Sequence, residues 1–295
     1  FIIGHEYAGT IAAVGETVDE VQVGDRVAVE ASLGCGRCRN CRLGNYTACL
    51  NYGNLKKGHR ANGFTTNGGF AQYALNHINT VHKIPDQVEF DEAALITNLG
   101  CILYGFQTTG GYVVGDNVAV IGPGPLGQVS VAVAKALCAK KVFLVGTRDD
   151  RLEMGKKMGA DRLININNED PIQVVRDETD GLGADLVIES SGADQGIQTA
   201  IEMSKRMGKV LLVGYPEKPV SANFSTMGMR NIQMYSIRGE GWANCARAVS
   251  MLEQGKVSLK PLATHTFPID KVQEAFETFT GRVGGAIQVI VHPNE

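Results

Sequence analysis

The stretch VAVIGPGPLG at residues 118–127 decides the fold of this chain. Its first four residues form a continuous apolar run, which is typical of a buried parallel strand. Glycines then follow at a spacing that permits a tight turn and a close approach of the backbone to a pyrophosphate, and a helical pattern runs from Leu126 to Ala139. The helix N-terminus presents N–H groups to the phosphates. We therefore predict a dinucleotide-binding turn made by Gly122, Gly124, Pro125, Leu126 and Gly127.

Strands and helices alternate after this turn. Short apolar runs predict strands at 141–145, 163–166, 185–189, 210–213 and 233–237, and a helix is predicted at 151–158. Alternation of this kind indicates an α/β fold with a doubly wound parallel sheet. Before residue 90 the chain reads as β-rich, with strands predicted at 9–14, 26–29 and 69–74. Helices are predicted at 91–105 and 245–253.

The end of the second strand of the sheet bears on the choice of cofactor. Enzymes that use NAD usually carry Asp or Glu there, about 20 residues past the turn. This chain has Gly146 at that point, followed by Thr147 and Arg148. Because Arg can hold a 2′-phosphate that a carboxylate would repel, the sequence favours NADP over NAD, with Thr147 and Arg148 as cofactor contacts. The alternative, in which Asp149 or Asp150 binds the ribose of NAD, stays open.

Four of the seven cysteines lie within fifteen residues, at Cys35, Cys38, Cys41 and Cys49. Four thiolates at this spacing can close on one tetrahedral zinc ion, and a site with four protein ligands is structural. Disulfides or an iron–sulfur cluster are the alternatives, but no proline follows the last cysteine. We predict a structural zinc lobe over residues 34–50.

A histidine and a glutamate stand together near the start of the chain, at His5 and Glu6. A single histidine is more often structural than functional. This one precedes a strand of small residues by a few positions and a cysteine-rich lobe by about thirty. Neutral imidazole is a common zinc ligand, and Glu6 is suited either to bind the metal or to anchor the histidine.

Taken together, these motifs resemble the zinc-dependent medium-chain alcohol and polyol dehydrogenases, in particular those similar to sorbitol or L-iditol dehydrogenase. The resemblance runs through GHE at 4–6, VGDRV at 23–27, the cysteine lobe, GGFAQY at 68–73 and GPGPLG at 122–127. It implies a GroES-like β-rich catalytic domain made of residues 1–99 and 244–295, and a Rossmann domain over 100–243. It also implies a catalytic zinc ion at His5 and Glu6, a small-molecule alcohol substrate, and a homodimer or homotetramer.

Two departures from the family pattern affect the expected site. The family's first catalytic ligand is a cysteine upstream of GHE, close to a Ser or Thr that relays the alcohol proton, and by resemblance this chain starts too late to contain either. Asn98, beside Thr97, stands where the family often has Cys, Asp or Glu, and neither binds zinc well. Cys101, one helical turn later, is expected to pack in the core.

These departures leave Glu6 as the candidate third ligand, as in the polyol branch, and favour oxidation of a secondary alcohol in a polyol, sugar alcohol or cyclitol. Two alternatives remain. One is an amino-alcohol dehydrogenase of the threonine 3-dehydrogenase type. The other is a non-catalytic NAD(P)H-binding relative. The sequence does not identify the alcohol.

Composition excludes several other classes of protein. The 295 residues are 44% hydrophobic and 20% charged with a net charge of −3, so no basic surface for nucleic acid or membrane is predicted. No apolar run is long enough for a membrane span. Clustered cysteines fit a reducing compartment, and we expect a cytoplasmic protein. Since the first residue is Phe1 and not Met, a preceding targeting segment stays open.

Overall fold

The computed structural model describes residues 1–241 and 243–294. The chain forms two compact units, Phe1–Tyr104 with Arg238–Glu295, and Gly105–Ile237. Sequence analysis places the domain boundaries after residues 99 and 243. The compact units divide the chain after residues 104 and 237.

The strands in chain order are β1 (Tyr7–Thr10), β2 (Arg26–Val29), β3 (Ser32–Leu33), β4 (Arg60–Ala61), β5 (Val81–Lys83), β6 (Asn117–Ile121), β7 (Lys141–Gly146), β8 (Arg162–Asn165), β9 (Ala184–Glu189), β10 (Ser204–Leu212), β11 (Gln233–Ser236), β12 (Ala263–Pro268) and β13 (Gln288–His292). The α-helices are α1 (Arg39–Arg42), α2 (Phe90–Ala93), α3 (Ile96–Thr108), α4 (Pro125–Ala136), α5 (Asp149–Lys157), α6 (Pro171–Asp177), α7 (Gly196–Met203), α8 (Phe224–Met229), α9 (Asn244–Glu253) and α10 (Val272–Gly281). Short 3₁₀ helices occur at Tyr46–Ala48, Leu55–Lys57, Ile78–Thr80, Lys260–Leu262, Ile269–Lys271 and Val283–Gly285.

The second unit is built on a six-stranded parallel sheet. Its strand order is β11-β10-β9-β6-β7-β8, so the chain winds outward in both directions from the neighbouring strands β6 and β9. All six predicted strands occur here, and the predicted doubly wound Rossmann sheet is confirmed. Val118, Val120, Val142, Leu144 and Ile188 are fully buried, which explains why β6, β7 and β9 are largely apolar runs.

The first unit contains smaller sheets. β1, β2 and β5 form an antiparallel sheet, β3 pairs with β4, and β12 pairs in parallel with β13. The predicted strand at 26–29 is confirmed. The predicted strand at 9–14 extends only to Thr10. The helix predicted at 91–105 is present as α2 and α3, and that at 245–253 as α9.

The prediction of a strand at 69–74 is wrong. The backbone there bends, and the N–H groups of Gly68, Gly69 and Phe70 bond to the carbonyls of residues 2–4 without a ladder register. Tyr73 and Leu75 are largely exposed, so the segment buries no alternating face. Its glycines serve another purpose, described below.

Among the described residues, no helix combines the length and the apolar character that crossing a membrane requires.

Candidate active site and metal centres

The four predicted cysteines converge. Cys35, Cys38, Cys41 and Cys49 place their sulfur atoms within 4.8 Å of one another. The Cys35–Cys41 and Cys38–Cys49 Sγ–Sγ distances are both 4.0 Å, and all four thiols are free. A tetrahedron with zinc–sulfur bonds of about 2.3 Å has edges of about 3.8 Å. The observed spacing therefore fits a zinc ion held by four sulfur atoms.

Local hydrogen bonds prepare these sulfur atoms to carry negative charge. The Asn51 side-chain amide donates to Cys35 Sγ at 3.2 Å, and the backbone N–H groups of Cys38 and Cys41 donate to the sulfur three residues earlier at 3.4 Å. The Asn51 amide is the main cause that lowers the pKa of Cys35 to about 6. Burial raises the pKa of Cys41 to about 12, so a bound cation is needed to ionise all four thiols together.

Glycine makes the lobe possible. A Cβ atom on Gly34 would lie 2.6 Å from both Cys41 Sγ and Tyr46 Cβ, and Gly36 and Gly44 adopt positive φ. Cys38 also caps the short helix α1 by accepting from the Cys41 N–H. The backbone of the lobe therefore turns tightly enough to bring cysteines that are close in sequence to one point.

His5 and Glu6 lie just before β1, and a cluster of glycines supports their backbone. Added Cβ atoms on Gly63 and Gly68 would approach the Gly4 carbonyl carbon to 2.6 and 2.9 Å, and one on Gly69 would lie 2.6 Å from Tyr7 Cβ. The Gly69 N–H donates to the Gly4 carbonyl at 2.9 Å. The GGFAQY segment, wrongly predicted as a strand, thus packs directly against the backbone that carries His5 and Glu6.

The side chains of His5 and Glu6 are suited to hold a metal ion. His5 Nε2 lies 3.8 Å from Glu6 Oε1, and the imidazole packs on Phe64 with ring centroids 4.4 Å apart. Burial lowers the pKa of His5, which keeps the imidazole neutral and leaves a nitrogen lone pair free. Burial raises the pKa of Glu6 to about 7, a shift that a bound cation opposes. Both side chains remain partly accessible, along a groove of about 1600 Å³ in this unit.

Two amides orient the Glu6 carboxylate. Gln288, at the start of β13, donates from Nε2 to Glu6 Oε2 at 3.0 Å, and Asn98 on α3 also hydrogen-bonds to Glu6. Asn98 is buried beside Thr97, which donates to it at 3.4 Å. Asn98 therefore contacts the predicted site through Glu6. Sequence reasoning missed Gln288, which lies 282 residues away and belongs to no recognisable motif.

The cofactor turn connects β6 to α4 as predicted. Gly122 has φ +100, and a Cβ atom there would lie 2.8 Å from Ser191. A Cβ atom on Gly127 would run into the Gly122 carbonyl and lie 2.8 Å from Ser190 Oγ. Gly124 caps the helix, Pro125 and Leu126 open it, and a Cβ atom on Gly124 would meet nothing within 4 Å. The space on the side-chain side of Gly124, at the N-terminus of α4, is therefore open, which suits a close approach of a pyrophosphate.

The strand that neighbours β6 ends in a buried carboxylate. Glu189 closes β9, and its Oε1 accepts from the Ser191 N–H at 2.9 Å and from the Ser191 hydroxyl. Its Oε2 accepts from the Gly192 N–H at 3.2 Å. Ligands of doubly wound sheets bind at the point where the strand order reverses, here between β6 and β9. Glu189 thus shapes the loop beside the cofactor turn.

Gly146 closes β7 against the cofactor turn. A Cβ atom there would lie 2.6 Å from Pro123 Cγ, so the position has no room for an acidic side chain unless Pro123 moves. The Arg148 guanidinium is paired with Asp150, with Nε–Oδ1 3.1 Å and Nη2–Oδ2 2.6 Å. Asp149 Oδ1 accepts from Asn165 Nδ2 at 2.6 Å. Thr147, Arg148 and both aspartates follow β7 directly.

Comparison with known proteins identifies the family of this chain. The family model for the alcohol dehydrogenase GroES-like domain matches residues 1–86, and that for the zinc-binding dehydrogenase matches residues 125–254. The sorbitol dehydrogenase of Bacillus subtilis (strain 168) is 34% identical over 296 residues, which cover 100% of this chain and 81% of that protein. The chain belongs to the zinc-dependent medium-chain alcohol and polyol dehydrogenases.

Other relatives mark the breadth of this family. The L-threonine 3-dehydrogenase of Pyrococcus abyssi (strain GE5 / Orsay) is 36% identical over 294 residues, which cover 97% of this chain and 81% of that protein. A zinc-binding dehydrogenase of Sinorhizobium meliloti 1021, solved with bound NADP, shares the fold with a TM-score of 0.90 at 23% sequence identity. The superposition covers 99% of this chain and 83% of the Sinorhizobium chain.

The chain is accordingly an NAD(P)-dependent oxidoreductase of the zinc alcohol dehydrogenase type, with zinc and NAD(P) as cofactors and a small-molecule substrate.

Proposed function

We propose that this enzyme oxidises a secondary alcohol of a polyol, sugar alcohol or cyclitol, with a catalytic zinc ion bound by His5 and Glu6. The observation that carries the proposal is the Glu6 carboxylate. It lies 3.8 Å from His5 Nε2 and is oriented by Gln288 and Asn98, whereas Asn98 and Thr97 offer no good zinc ligand of their own. A tetrahedral site filled by His5 and Glu6 leaves two positions for further ligands, one of them the substrate.

Each of these residues has a defined task. Alcohol oxidation removes a hydride from carbon and a proton from oxygen; a zinc ion held by His5 and Glu6 would polarise that oxygen, and a nicotinamide held at the cofactor turn would take up the hydride. Phe64 fixes the plane of the His5 imidazole, whose lowered pKa keeps it available for the metal. Gln288 and Asn98 hold the Glu6 carboxylate in one orientation. Gly122, Gly124, Pro125, Leu126 and Gly127 bind the pyrophosphate.

We propose that NADP is preferred over NAD. Gly146 is packed against Pro123, so that position carries no carboxylate to bind the 2′-hydroxyl or to repel a 2′-phosphate. Two residues after Gly146, Arg148 supplies a guanidinium group that is paired with Asp150. A bound 2′-phosphate would compete with the Asp150 carboxylate for this guanidinium group. Thr147 lies between Gly146 and Arg148.

Substitutions at this position separate the two cofactors. Because hydrogen bonds to charged groups contribute roughly 1.5–3 kcal/mol, we expect Arg148→Ala to lower kcat/KM for NADP⁺ by about tenfold or more and to leave that for NAD⁺ nearly unchanged. Asp150→Asn removes the competing carboxylate and should improve use of NADP⁺. Asp149→Asn tests the alternative, since it lowers only the use of NAD⁺ if Asp149 binds the ribose. Equal losses with both cofactors in Arg148→Ala would contradict the assignment.

The second candidate substrate is L-threonine, which the 36% identity to a threonine dehydrogenase favours. The two candidates are separated by steady-state oxidation of sorbitol, xylitol, a cyclitol and L-threonine by the zinc-loaded protein, followed through NAD(P)H formation. The proposal expects the largest kcat/KM for a polyol or cyclitol. A larger value for L-threonine would reject it in favour of the amino-alcohol reaction.

We further propose a cytoplasmic homodimer or homotetramer. The seven free thiols fit a reducing compartment. β11 is one of the two edge strands of the six-stranded sheet, and such an edge pairs readily with a second copy. Light scattering that gives twice or four times the chain mass of 31.6 kDa would support the assembly, and a monomer would exclude it.

A further inference from the structure

A second group of metal-binding side chains lies in the first unit, apart from the cysteine lobe and from His5. Glu30 directly follows β2, His82 is the central residue of β5, and Cys245 lies in the first turn of α9. One carboxylate oxygen, one imidazole nitrogen and the sulfur atom from these residues all lie within 4.8 Å of one another. Elements far apart in sequence thus present three different zinc-ligand types to one point.

The contacts within this group are close and buried. His82 Nε2 lies 3.1 Å from Glu30 Oε2, and the Cys245 thiol hydrogen-bonds to Glu30. Glu30 is 6% exposed and Cys245 is fully buried. The Tyr46 hydroxyl contacts the second carboxylate oxygen of Glu30, Oε1. The same hydroxyl lies 2.6 Å from the Gly241 carbonyl oxygen. The group is therefore fixed in position and largely removed from bulk water.

Glu240 adds an acidic side chain that backbone hydrogen bonds from Ala31 and Glu240 itself satisfy only in part. It is 4% exposed, and its Oε2 has no hydrogen-bond partner within residues 1–241 and 243–294. Glu240 and Glu30 are near enough for the charge of Glu30 to contribute to a raised pKa of Glu240, whose main cause is burial, and both carboxylates act in the same way on Cys245. An unpaired buried carboxylate oxygen is costly, and it is rare in native structures unless an ion or water partners it.

The acidic groups in this region also favour a bound cation. The buried acidic groups are the carboxylates of Glu30 and Glu240 and the thiol of Cys245, and the basic group among them is the His82 imidazole. The two other groups that interact with them electrostatically are a phenol, Tyr46, and a thiol, Cys101, and neither is basic. A carboxylate, an imidazole and a thiolate together form a donor set that zinc accepts in tetrahedral geometry. On binding, Cys245 loses its thiol proton to solvent and His82 binds as the neutral imidazole.

We propose that Glu30, His82 and Cys245 bind a zinc ion, in a buried region that also holds the unpartnered Glu240 carboxylate oxygen. Because Glu30 and Cys245 are buried, the site is closed to substrate and the ion is structural. It joins β2 and β5 to the segment after residue 238, so it ties the two sequence-distant parts of the first unit together. The proposal does not depend on the substrate or on the catalytic zinc.

Anomalous diffraction at the zinc absorption edge tests this site on the wild-type full-length protein, crystallised in the presence of zinc. We expect a peak at about 2.0–2.3 Å from the ligand atoms of Glu30, His82 and Cys245. The four-cysteine cluster in the same crystal is the positive control. A peak at the cysteine cluster with none beside Glu30 overturns the proposal.

Zinc content in solution gives a second test. We expect Cys245→Ala and His82→Gln each to hold one zinc equivalent per chain fewer than the wild type. Cys101→Ala removes another buried thiol outside the proposed ligand set and should hold the wild-type amount. Equal zinc content in all four folded proteins contradicts the assignment, and the diffraction experiment decides the matter if a variant fails to fold.

Discussion

At Gly127 and Gly124, neighbouring glycines of one turn have different reasons for lacking a side chain. A Cβ atom on Gly127 would collide with the Gly122 carbonyl and lie 2.8 Å from Ser190 Oγ, whereas one on Gly124 would meet no protein atom within 4 Å. The fold of the turn therefore requires Gly127. The space that Gly124 leaves open is available to the cofactor.

Alanine substitutions separate these two roles. We expect Gly127→Ala to lower the free energy of unfolding of the cofactor-free protein by roughly 1–3 kcal/mol, since overpacking forces the backbone to shift. Gly124→Ala should cost about 1 kcal/mol or less, because it only replaces a favourable N-cap residue, yet raise the Kd for NADPH by about tenfold or more. Thermal unfolding and a fluorescence titration measure the two effects. Equal loss of stability in both variants would contradict this distinction.

Glu6 depends on Gln288 for its orientation. Removing a hydrogen bond to a metal-binding residue typically lowers activity or metal affinity about 10- to 100-fold. We expect a loss of that size in kcat/KM for Gln288→Leu, which removes the hydrogen bond to Glu6. Zinc should also be released from this variant at a lower chelator concentration. Gln273→Leu is the matched control, because Gln273 also donates to a glutamate, Glu277, but on the exposed face of α10. Wild-type kinetics and zinc retention in Gln288→Leu would exclude the positioning role.

At the scale of single elements, local pattern predicted the parallel sheet well and the GGFAQY segment badly. The strands β6, β7 and β9 are marked by apolar runs, because both faces of the sheet are covered there, whereas the edge strand β11 is partly exposed. Residues 69–74 show strand-like composition, but their structure is determined by contacts of Gly68 and Gly69 with residues 4–7, which no local pattern reveals. The cysteine lobe was predictable because its ligand spacing is itself local.

The cysteine lobe contains little regular secondary structure, only α1 and one 3₁₀ turn among the described residues 34–50. We expect Cys41→Ser to lose one zinc equivalent per chain and to become sensitive to proteolysis within residues 34–58, because structural zinc contributes directly to folding free energy. NADPH affinity should be kept. Cys138→Ser, at an exposed cysteine, is the control. An intact, protease-resistant lobe in zinc-free Cys41→Ser would contradict the prediction.

For the whole molecule, the residues that we predict to carry the chemistry lie in short motifs, whereas the residues that support them do not. His5, Glu6, the four cysteines and the cofactor turn each belong to a short motif. Gln288 reaches Glu6 from the opposite end of the chain, and Glu240 and Cys245 approach Glu30 across more than 200 residues. Such contacts follow from tertiary packing alone, and single-sequence patterns contain no record of them.

The central claim is that His5 and Glu6 hold the zinc ion on which polyol oxidation depends, and one kinetic comparison tests it most directly. kcat/KM for oxidation of the best polyol with NADP⁺ would be measured for the zinc-loaded wild type and for His5→Ala, with NADPH binding recorded for both. We expect His5→Ala to lose activity by at least about 10³-fold, since Lewis-acid stabilisation is worth several kcal/mol, and to bind NADPH normally. Polyol oxidation that persists near the wild-type rate in His5→Ala would contradict the account.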